Sequence, residues 1–358
     1  MTDEAPEGSG ALGAPEAPDP DEAQRAIEYC YDQGWSDGLP LVPVSRPLLD
    51  SFLATTDKEP DEIIGSLEQV GRDVDVRTAA INAAMAGCKP EYFPVVLAAF
   101  DALMRERAAR GGGFQSTSGP APLIVVNGPI RKELGFNTAG GAFGPGFRPN
   151  MTIPRAVGLI VRNAFGIHPH VLEQATQGVP GRWSICVAEN EEESPWEPFA
   201  ENGGAGGGVS AVSATLTRTM EFVDNRHTPD HEDVLRDLQD TIGRIGSLIF
   251  PQTSVALVLC PEHAQMFAAA GMSKADVQNW LIERSGRTGR EFRLMGKESV
   301  ATKTFHGPFE GDDAFHAILS GPRQIPVIVA GAKNAAISMV VRIFGEWSGT
   351  AVPVVEKK

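Results

Sequence analysis

PLIVV, at residues 122–126, has the composition of a β-strand that is buried on both faces. Three further runs share this composition: WSICVA at 183–188, SVALVL at 254–259 and PVIVA at 326–330. Continuous apolar runs of about four to six residues, rich in β-branched side chains, are typical of strands that helices cover on both sides. The four runs therefore predict a mostly parallel sheet.

Helical patterns separate these runs along the chain. Helices are predicted at 46–54, 60–66, 75–86, 90–108, 152–163, 170–175, 229–247, 261–270 and 274–284. Alternation of strands and helices predicts the α/β class, with a layered, mostly parallel sheet and flanking helices behind a helical N-terminal segment. Because 254–330 loosely echoes 122–175, two α/β lobes are one arrangement of this class.

The chain of 358 residues is long for a single hydrophobic core, so we expect more than one unit. Residues 1–20 are dominated by Ala, Pro, Gly and acids, which predicts a disordered acidic tail. We divide the remainder into a helical segment at 21–110 that packs on the body, a first α/β lobe at 111–200 and a second at 201–358.

The charge and the cysteines restrict the partners and the compartment. The net charge is −15 and no stripe of Lys and Arg stands out, which argues against nucleic-acid binding. The N-terminus lacks a signal-peptide pattern, and no apolar run approaches the ~20 residues of a membrane helix. The four cysteines are widely spaced without a CxxC motif, which predicts reduced thiols. We therefore expect a cytoplasmic protein without nucleic-acid or membrane partners.

Cys88 is a candidate catalytic residue because it lies between two predicted helices. Pro90 opens the second helix, so its N-terminus and Lys89 would stabilise a thiolate and lower the pKa of Cys88. This environment predicts a nucleophilic or redox thiol, with Lys89 beside the substrate. The alternative is a small buried residue at a helix joint, since free cysteine packs as a hydrophobe.

A long glycine-rich loop follows PLIVV and supplies candidates for substrate binding. Parallel strands deliver the loops at their carboxyl ends to the usual ligand edge of an α/β sheet. Arg148 and Arg155 bracket the start of a predicted helix, where an anion would bind. We take Asn127, Arg148, Asn150 and Arg155 as candidates, with a structural connection as the alternative. The glycines match neither a P-loop nor a GxGxxG fingerprint, so the cofactor stays unknown.

Carboxylates crowd the segment that follows WSICVA. Glu189 and Glu191 lie nearest the predicted strand, so they are candidates for proton transfer, although a solvated acidic loop is the alternative. His263 lies one turn after SVALVL and is a candidate for substrate binding at the same edge. These carboxylates with a histidine would also suit a metal-dependent hydrolase or lyase, but we assign no metal ligand.

Five motifs of the chain resemble those of a poorly characterised bacterial family related to the UGSC (seleno)protein family. They are GWSDGLP at 34–40, AAMAGCKPEY at 83–92, NGPI at 127–130 with KELG at 132–135, FGPG at 143–146 and AENEEESPWEP at 188–198. The UGSC or CGSC tetrad itself is absent, so the selenocysteine-like redox site that the family name implies is absent too. The resemblance implies no particular substrate, but it marks the same loops as the strand ends.

These observations lead to one main hypothesis and two alternatives. We expect an enzyme that acts on a small anionic or carbonyl-bearing substrate at the carboxyl edge of the sheet. In this hypothesis Cys88, Asn127, Arg148, Arg155 and Glu189 converge on one concave site. The alternatives are a non-catalytic binding or assembly subunit, including a homo-oligomer, and a metal-dependent hydrolase or lyase.

Overall fold

The computed structural model describes residues 19–247, 254–299 and 311–357. Within these ranges helices flank one large sheet, which confirms the predicted α/β class. Residues 1–18 of the tail predicted to be disordered lie outside the described ranges. None of the described helices is long and apolar enough to cross a lipid bilayer.

A helical layer with a short hairpin precedes the main sheet, as predicted. Its elements are α1 (Pro20–Asp32), α2 (Arg46–Leu53), β1 (Ile63–Leu67), β2 (Arg72–Asp75), α3 (Val76–Met85), α4 (Phe93–Arg105) and α5 (Arg107–Arg110). Side-chain caps fix two helix starts, because Ser45 accepts from Leu48 N and Asp75 accepts from Thr78 N. The helix predicted at 60–66 is wrong, because β1 pairs with β2 as an antiparallel hairpin.

The main sheet has seven strands, and a separate pair of short strands lies near the C-terminal end. The strands are β3 (Ala121–Asn127), β4 (Cys186–Ala188), β5 (Ala211–Asp224), β6 (Val255–Leu259), β7 (Gly286–Thr288), β8 (Phe315–Ala317), β9 (Val327–Val329), β10 (Ile337–Ile343) and β11 (Val352–Pro353). In the main sheet the order is β4-β3-β5-β10-β6-β9, and β11 also pairs with β5.

Helices of the body pack against this sheet. They are α6 (Ile130–Glu133), α7 (Arg148–Asn163), α8 (Phe199–Asn202), α9 (His231–Ile242), α10 (Pro261–Ala269), α11 (Lys274–Arg284) and α12 (Gly289–Leu294). α11 begins with a capping box in which Ser273 and Asp276 satisfy each other's backbone N–H groups. The helix predicted at 170–175 is wrong, because three successive amides there converge on the His168 carbonyl as a turn.

The strand pairing is mixed, so the prediction of a mostly parallel sheet is wrong. β3 is parallel to β4, and β6 is parallel to β9, so the four apolar runs do form the two parallel pairs. The pairs β3–β5, β5–β10, β10–β6 and β5–β11 are antiparallel. β5 and β10 mix polar with apolar residues, which is typical of antiparallel strands and not of the buried runs on which the prediction was based.

The two halves of the sheet repeat one order of elements. β3, β4 and β5 form one half, and β6, β9 and β10 form the other, with helices between the first two strands of each. In both halves the parallel pair lies at the edge and the third strand lies at the centre. β5 pairs with β10 there, so the two halves share one continuous sheet.

The sheet curls until its two edge strands meet. Asn190 N donates to Val329 O at 2.7 Å, and Val329 N donates to the Glu189 carboxylate at 3.1 Å. Side chains from both halves fill the concave face, among them Leu123, Val125, Val187, Val258, Ile328 and Val341. Two further cores cover the convex face, one against α3, α4 and α7 and the other against α9, α10 and α11.

Close packing of α7 on the segment before β4 predicts that Gly158 accepts no larger residue. A Cβ atom at Gly158 would lie 2.6 Å from the Trp183 ring, which is shorter than any ordinary contact. Gly158→Ala should therefore lower the free energy of unfolding by about 1–3 kcal/mol in urea denaturation. Gly321→Ala is the control, because its Cβ would meet nothing within 4 Å. Equal stability of the two variants would contradict this packing.

Candidate functional site

Asn127 and Glu189 contact each other at the carboxyl ends of β3 and β4. Asn127 Nδ2 donates to Glu189 Oε2 at 2.6 Å and to Glu191 Oε1 at 2.9 Å. The parallel register places Val126 opposite Ala188, so the residues that follow are neighbours. The structure thus brings three of the predicted site residues together.

The Glu189 carboxylate is fully buried and surrounded by donors. Besides Asn127, it accepts from Phe199 N at 2.6 Å and from Val329 N at 3.1 Å. Burial raises the pKa of Glu189, while the charge of Lys274 and the three hydrogen bonds act in the opposite direction. Its hydrogen bonds join β3, β4, β9 and α8. Because the carboxylate has no exposed surface, it does not face a ligand.

Arg131, which sequence reasoning missed, neutralises the carboxylates of this edge. Its side chain is 3% exposed, and its Nη2 lies 2.7 Å from Glu191 Oε2 and 3.1 Å from Glu192 Oε1. It also donates to the backbone carbonyl of Glu189. Hydrogen bonding to Arg131 lowers the pKa of Glu192 to about 2. The ion pairs of Arg131 therefore fill the edge of the sheet at which the sequence predicted a ligand.

Arg148 and Arg155 belong to a different group of contacts. Arg155 forms a bidentate pair with Asp37, with Nη2–Oδ1 at 2.8 Å and Nε–Oδ2 at 2.9 Å. Burial acts to raise the pKa of Asp37, but the hydrogen bond and charge of Arg155, together with backbone hydrogen bonds, outweigh burial and lower it. Arg148 Nε donates to Gly87 O at 2.9 Å. α7 begins at Arg148 and not at the predicted residue 152, so both arginines lie on the helix. Their guanidinium groups bind neighbouring loops of the protein.

Cys88 lies beside these arginines but lacks the predicted activation. It is buried, and burial raises the pKa of its thiol to about 12 despite a hydrogen bond to Thr152 and the charges of Arg148 and Arg155. The prediction of a lowered pKa is therefore wrong. A buried thiol at a helix joint is protonated at neutral pH and packs as a small hydrophobe.

Lys89 and Asn150 have local partners. Lys89 Nζ lies 3.5 Å from Glu91 Oε1 in a half-exposed ion pair. Asn150 is buried, accepts from Asn137 N at 2.9 Å and donates to Asn137 O at 3.2 Å. Asn150 thereby fixes the loop that precedes α7.

His263 is a buried histidine with both ring nitrogens in contact with protein groups. Its Nδ1 lies 2.8 Å from Ser338 Oγ and its Nε2 lies 3.1 Å from Asn225 O. Because a carbonyl only accepts, Nε2 carries the proton of the neutral ring. Burial lowers the pKa of His263, so the ring stays neutral and ties α10 to β10.

The described residues contain no group of three or more His, Cys, Asp or Glu side chains placed to hold a metal ion. Glu189 and Glu191, the carboxylates of that hypothesis, are already bonded to Asn127 and backbone or guanidinium N–H groups. The metal-dependent alternative therefore has no ligand set in this part of the chain.

A cleft of about 900 Å³ lies at the other end of the sheet, where β6 and β9 begin. Its walls come from the α4–α5 junction, α8, the 3₁₀ helix Pro322–Gln324 and the loop at 346–350. Pockets of about 300–1,000 Å³ are typical of sites for small molecules. Sequence reasoning missed this cleft, because it expected ligands only at the carboxyl ends of the strands.

A buried carboxylate and an exposed hydroxyl contact each other inside the cleft. Glu106 is 3% exposed, and its Oε1 accepts from the hydroxyl of the exposed residue Ser348. Its Oε2 accepts from Ser348 N at 3.2 Å. Burial raises the pKa of Glu106, while the Ser348 bonds and the charge of Arg110 act to lower it. The pair therefore places a buried carboxyl group against the hydroxyl of an exposed residue.

Unpaired hydrogen-bond donors line the same cleft. Arg105 is paired with Asp101, but within the described residues Arg107 and Arg323 form no ion pair or side-chain hydrogen bond. The buried indole N–H of Trp347 has no partner among the described residues either. Glu346 adds one exposed carboxylate beside Glu106, so two unpaired arginines and two carboxylates line the cleft, and the guanidinium groups are the binding groups for an anionic ligand.

No family model and no curated protein matches this chain. The resemblance to the UGSC family stays a prediction, and the function has to be argued from the geometry.

Loss of the Glu189 carboxylate should destabilise the fold. Glu189→Ala leaves the donors of Asn127, Phe199 and Val329 buried without an acceptor, at about 1–3 kcal/mol for each group. We expect the free energy of unfolding in urea to fall by about 3–5 kcal/mol. Glu193→Ala, the control, removes a half-exposed ion pair and should lower the free energy of unfolding far less. Similar losses in both variants would exclude the joining role of Glu189.

The burial of the thiols predicts slow chemical modification. All four cysteines are free and buried, so Cys88 should react with a disulfide reagent at pH 8 far more slowly than a free cysteine of pKa ~8.5. The measurement is the rate of thiol release from the reagent, with the protein in urea as the control that exposes all four. Fast labelling of Cys88 in the native protein would restore the activated-thiol hypothesis.

Proposed function

We propose that this chain is an enzyme that acts on a small anionic, carbonyl-bearing substrate in the cleft beside Glu106. The observation that carries the proposal is the buried Glu106 carboxylate, which contacts an exposed hydroxyl in a cleft with unpaired arginines. Buried titratable groups with shifted pKa values inside a pocket are typical of functional sites. The alternative for such a pair is a structural link between two loops.

The arginines would hold the anionic group of the substrate. Arg107 lies on α5 and Arg323 on the 3₁₀ helix Pro322–Gln324, so the two guanidinium groups reach the cleft from two elements. A guanidinium binds a carboxylate or phosphate through two parallel N–H bonds, which fixes the orientation of the ligand.

Glu106 would move a proton of the held substrate. A carboxyl group with a pKa raised towards neutrality takes and returns protons readily near physiological pH. The two hydrogen bonds from Ser348 fix the orientation of this carboxyl group, which is what a positioned acid or base needs. No cofactor enters this proposal.

The cysteines indicate the cellular compartment of this enzyme, but they take no part in the proposed reaction. Cys88 has no place in the proposed reaction, because its thiol is protonated and buried. The four free cysteines support a reducing compartment, so we place the enzyme in the cytoplasm. The acidic net charge supports a small molecule as its partner, in preference to nucleic acid.

Small anions provide the first test of the cleft. Calorimetry with succinate, pyruvate and inorganic phosphate should detect binding of at least one probe to the full chain. Arg107→Ala and Arg323→Ala should each weaken that binding about tenfold, which corresponds to ~1.4 kcal/mol. Arg25→Ala, which removes an exposed arginine of α1, is the control and should bind as the wild type does. Absence of binding, or unchanged binding in both cleft variants, would refute the proposal.

An assembly role is the second candidate, and an exposed apolar patch favours it. Tyr29, Trp35 and Val42 are 55%, 40% and 42% exposed and line a groove of about 730 Å³ between α1, α2 and α3. Apolar surface of this kind marks interaction sites. The lining is apolar except for a few groups such as Arg46, so the patch can pack against its own copy, and a symmetric dimer is the occupant we consider.

The dimer would be visible in the mass of the native complex. Native mass spectrometry of the untagged chain should then show a dimer, and Val42→Glu should convert it to a monomer, because the charge would be buried without a partner. Ile63→Glu, at an exposed apolar residue of β1, is the control and should leave the dimer intact. A monomeric wild type would remove this candidate.

A further inference from the structure

We infer that Ser348 is the nucleophile of the cleft and that the reaction is hydrolysis of an ester or thioester with an anionic acyl group. This inference rests on the proposed function and deepens it. It names the reaction class and a residue that the sequence did not single out. Three features of the structure carry it: the exposure of the hydroxyl, its bond to a buried carboxylate and the rigidity of the turn that presents it.

The contact between Ser348 and Glu106 is the arrangement that activates a hydroxyl. Ser348 Oγ contacts Glu106 Oε1, the base that would remove its proton, and lies 3.1 Å from Thr350 Oγ1, a second acceptor for that proton. The second oxygen of Glu106 is held by Ser348 N at 3.2 Å, which fixes the plane of the carboxyl group. The base is buried while the nucleophile is exposed, so a substrate can reach the hydroxyl without displacing Glu106.

The turn that carries Ser348 is held on both sides. Trp347 is buried, its ring lies 5.0 Å from that of Phe199, and its backbone N–H donates to Ser254 Oγ at 3.2 Å. Gly349 follows in the left-handed region with φ of 69°, where other residues are strained. Thr350 N donates to Ser348 Oγ at 3.3 Å. A hydroxyl fixed in this way needs little reorganisation to attack a bound carbonyl.

The reaction balances with residues of the cleft and water alone. Ser348 Oγ bonds to the carbonyl carbon while its proton passes to the Glu106 carboxylate. The tetrahedral adduct collapses, the bond from the carbonyl carbon to the leaving oxygen or sulfur breaks, and Glu106 returns the proton to the leaving group. Water then attacks the acyl ester of Ser348 and gives a proton to Glu106, which returns it to Ser348 as the acid departs.

The substrate class follows from the surroundings of Ser348. Arg107 and Arg323 line the same cleft and would hold an anionic group on the acyl part. An acyl group with a terminal carboxylate matches this set of donors better than a neutral or cationic acyl group.

The test is covalent labelling of the full-length protein with a fluorophosphonate, followed by peptide mass mapping. We expect stoichiometric labelling at Ser348, which Ser348→Ala abolishes and Glu106→Gln slows about 100-fold. Ser273 is a matched internal control, because its hydroxyl also donates to a carboxylate, Asp276, at 2.6 Å, but in an exposed helix cap. Ser273 should carry no label, and circular dichroism checks that the variants are folded.

The pH dependence separates a catalytic pair from a structural one. Glu106 must be ionised to act as a base, so labelling should accelerate as pH rises through a pKa above its ordinary value of 4.5. The charged groups around it are Arg110, which lowers this pKa, its chain neighbours Arg105 and Arg107, and Glu346 in the cleft. A merely structural contact predicts the same slow rate at every pH and in Glu106→Gln.

Hydrolysis provides the second readout. p-Nitrophenyl hemisuccinate, which carries a carboxylate, should be hydrolysed at least about tenfold faster than neutral p-nitrophenyl butyrate, and Ser348→Ala should abolish the difference. Unlabelled Ser348 in a protein that still binds succinate or phosphate would overturn the nucleophile and leave the proposed function standing. Loss of both labelling and anion binding would remove the proposed function as well.

Discussion

The carboxylate of Glu189 is the constraint on which the closed form of the sheet depends. It belongs to the segment after β4, yet it accepts N–H groups from β3, from the opposite edge strand β9 and from α8. Short strands at the edges of a sheet leave unpaired backbone groups. Glu189 and Asn190 satisfy those of Val329, so the ends of β4 and β9 are joined where a flat sheet would leave two open edges.

This joint also reaches the cleft through Phe199. The backbone of Phe199 donates to Glu189, and its ring packs against Trp347, which precedes Ser348. Glu106 approaches the same turn from the α4–α5 junction, so the helical layer and the second half of the sheet meet at one hydrogen-bonded contact. The cleft is thus positioned by long-range contacts, and its rigidity derives from the closure of the sheet.

The sequence predicts the parts of the fold that rest on local patterns. PLIVV and its three counterparts are strands because continuous β-branched runs fit a doubly covered sheet, and the caps of α2 and α3 mark helix starts. β5 was missed because its small and polar residues resemble a loop until they pair with β3 and β10. The parallel register of β3 and β4 explains why Asn127 and Glu189 meet, as their positions after these strands predict. No local sequence pattern indicates that Arg131 is their partner.

The cleft escaped prediction because its chemistry joins residues 242 positions apart. From the sequence alone, Glu106 is one charge in a predicted helix, and Ser348 is part of a Ser-Gly-Thr turn. The rule that ligands bind at the carboxyl ends of strands applies to open parallel sheets, where those ends flank a crevice. Here Arg131 and the carboxylates that it pairs with fill the carboxyl edge of the sheet, because the curled sheet closes at this edge. The beginnings of β6 and β9 stay open, and Arg107 and Arg323 lie there without an ion pair among the described residues.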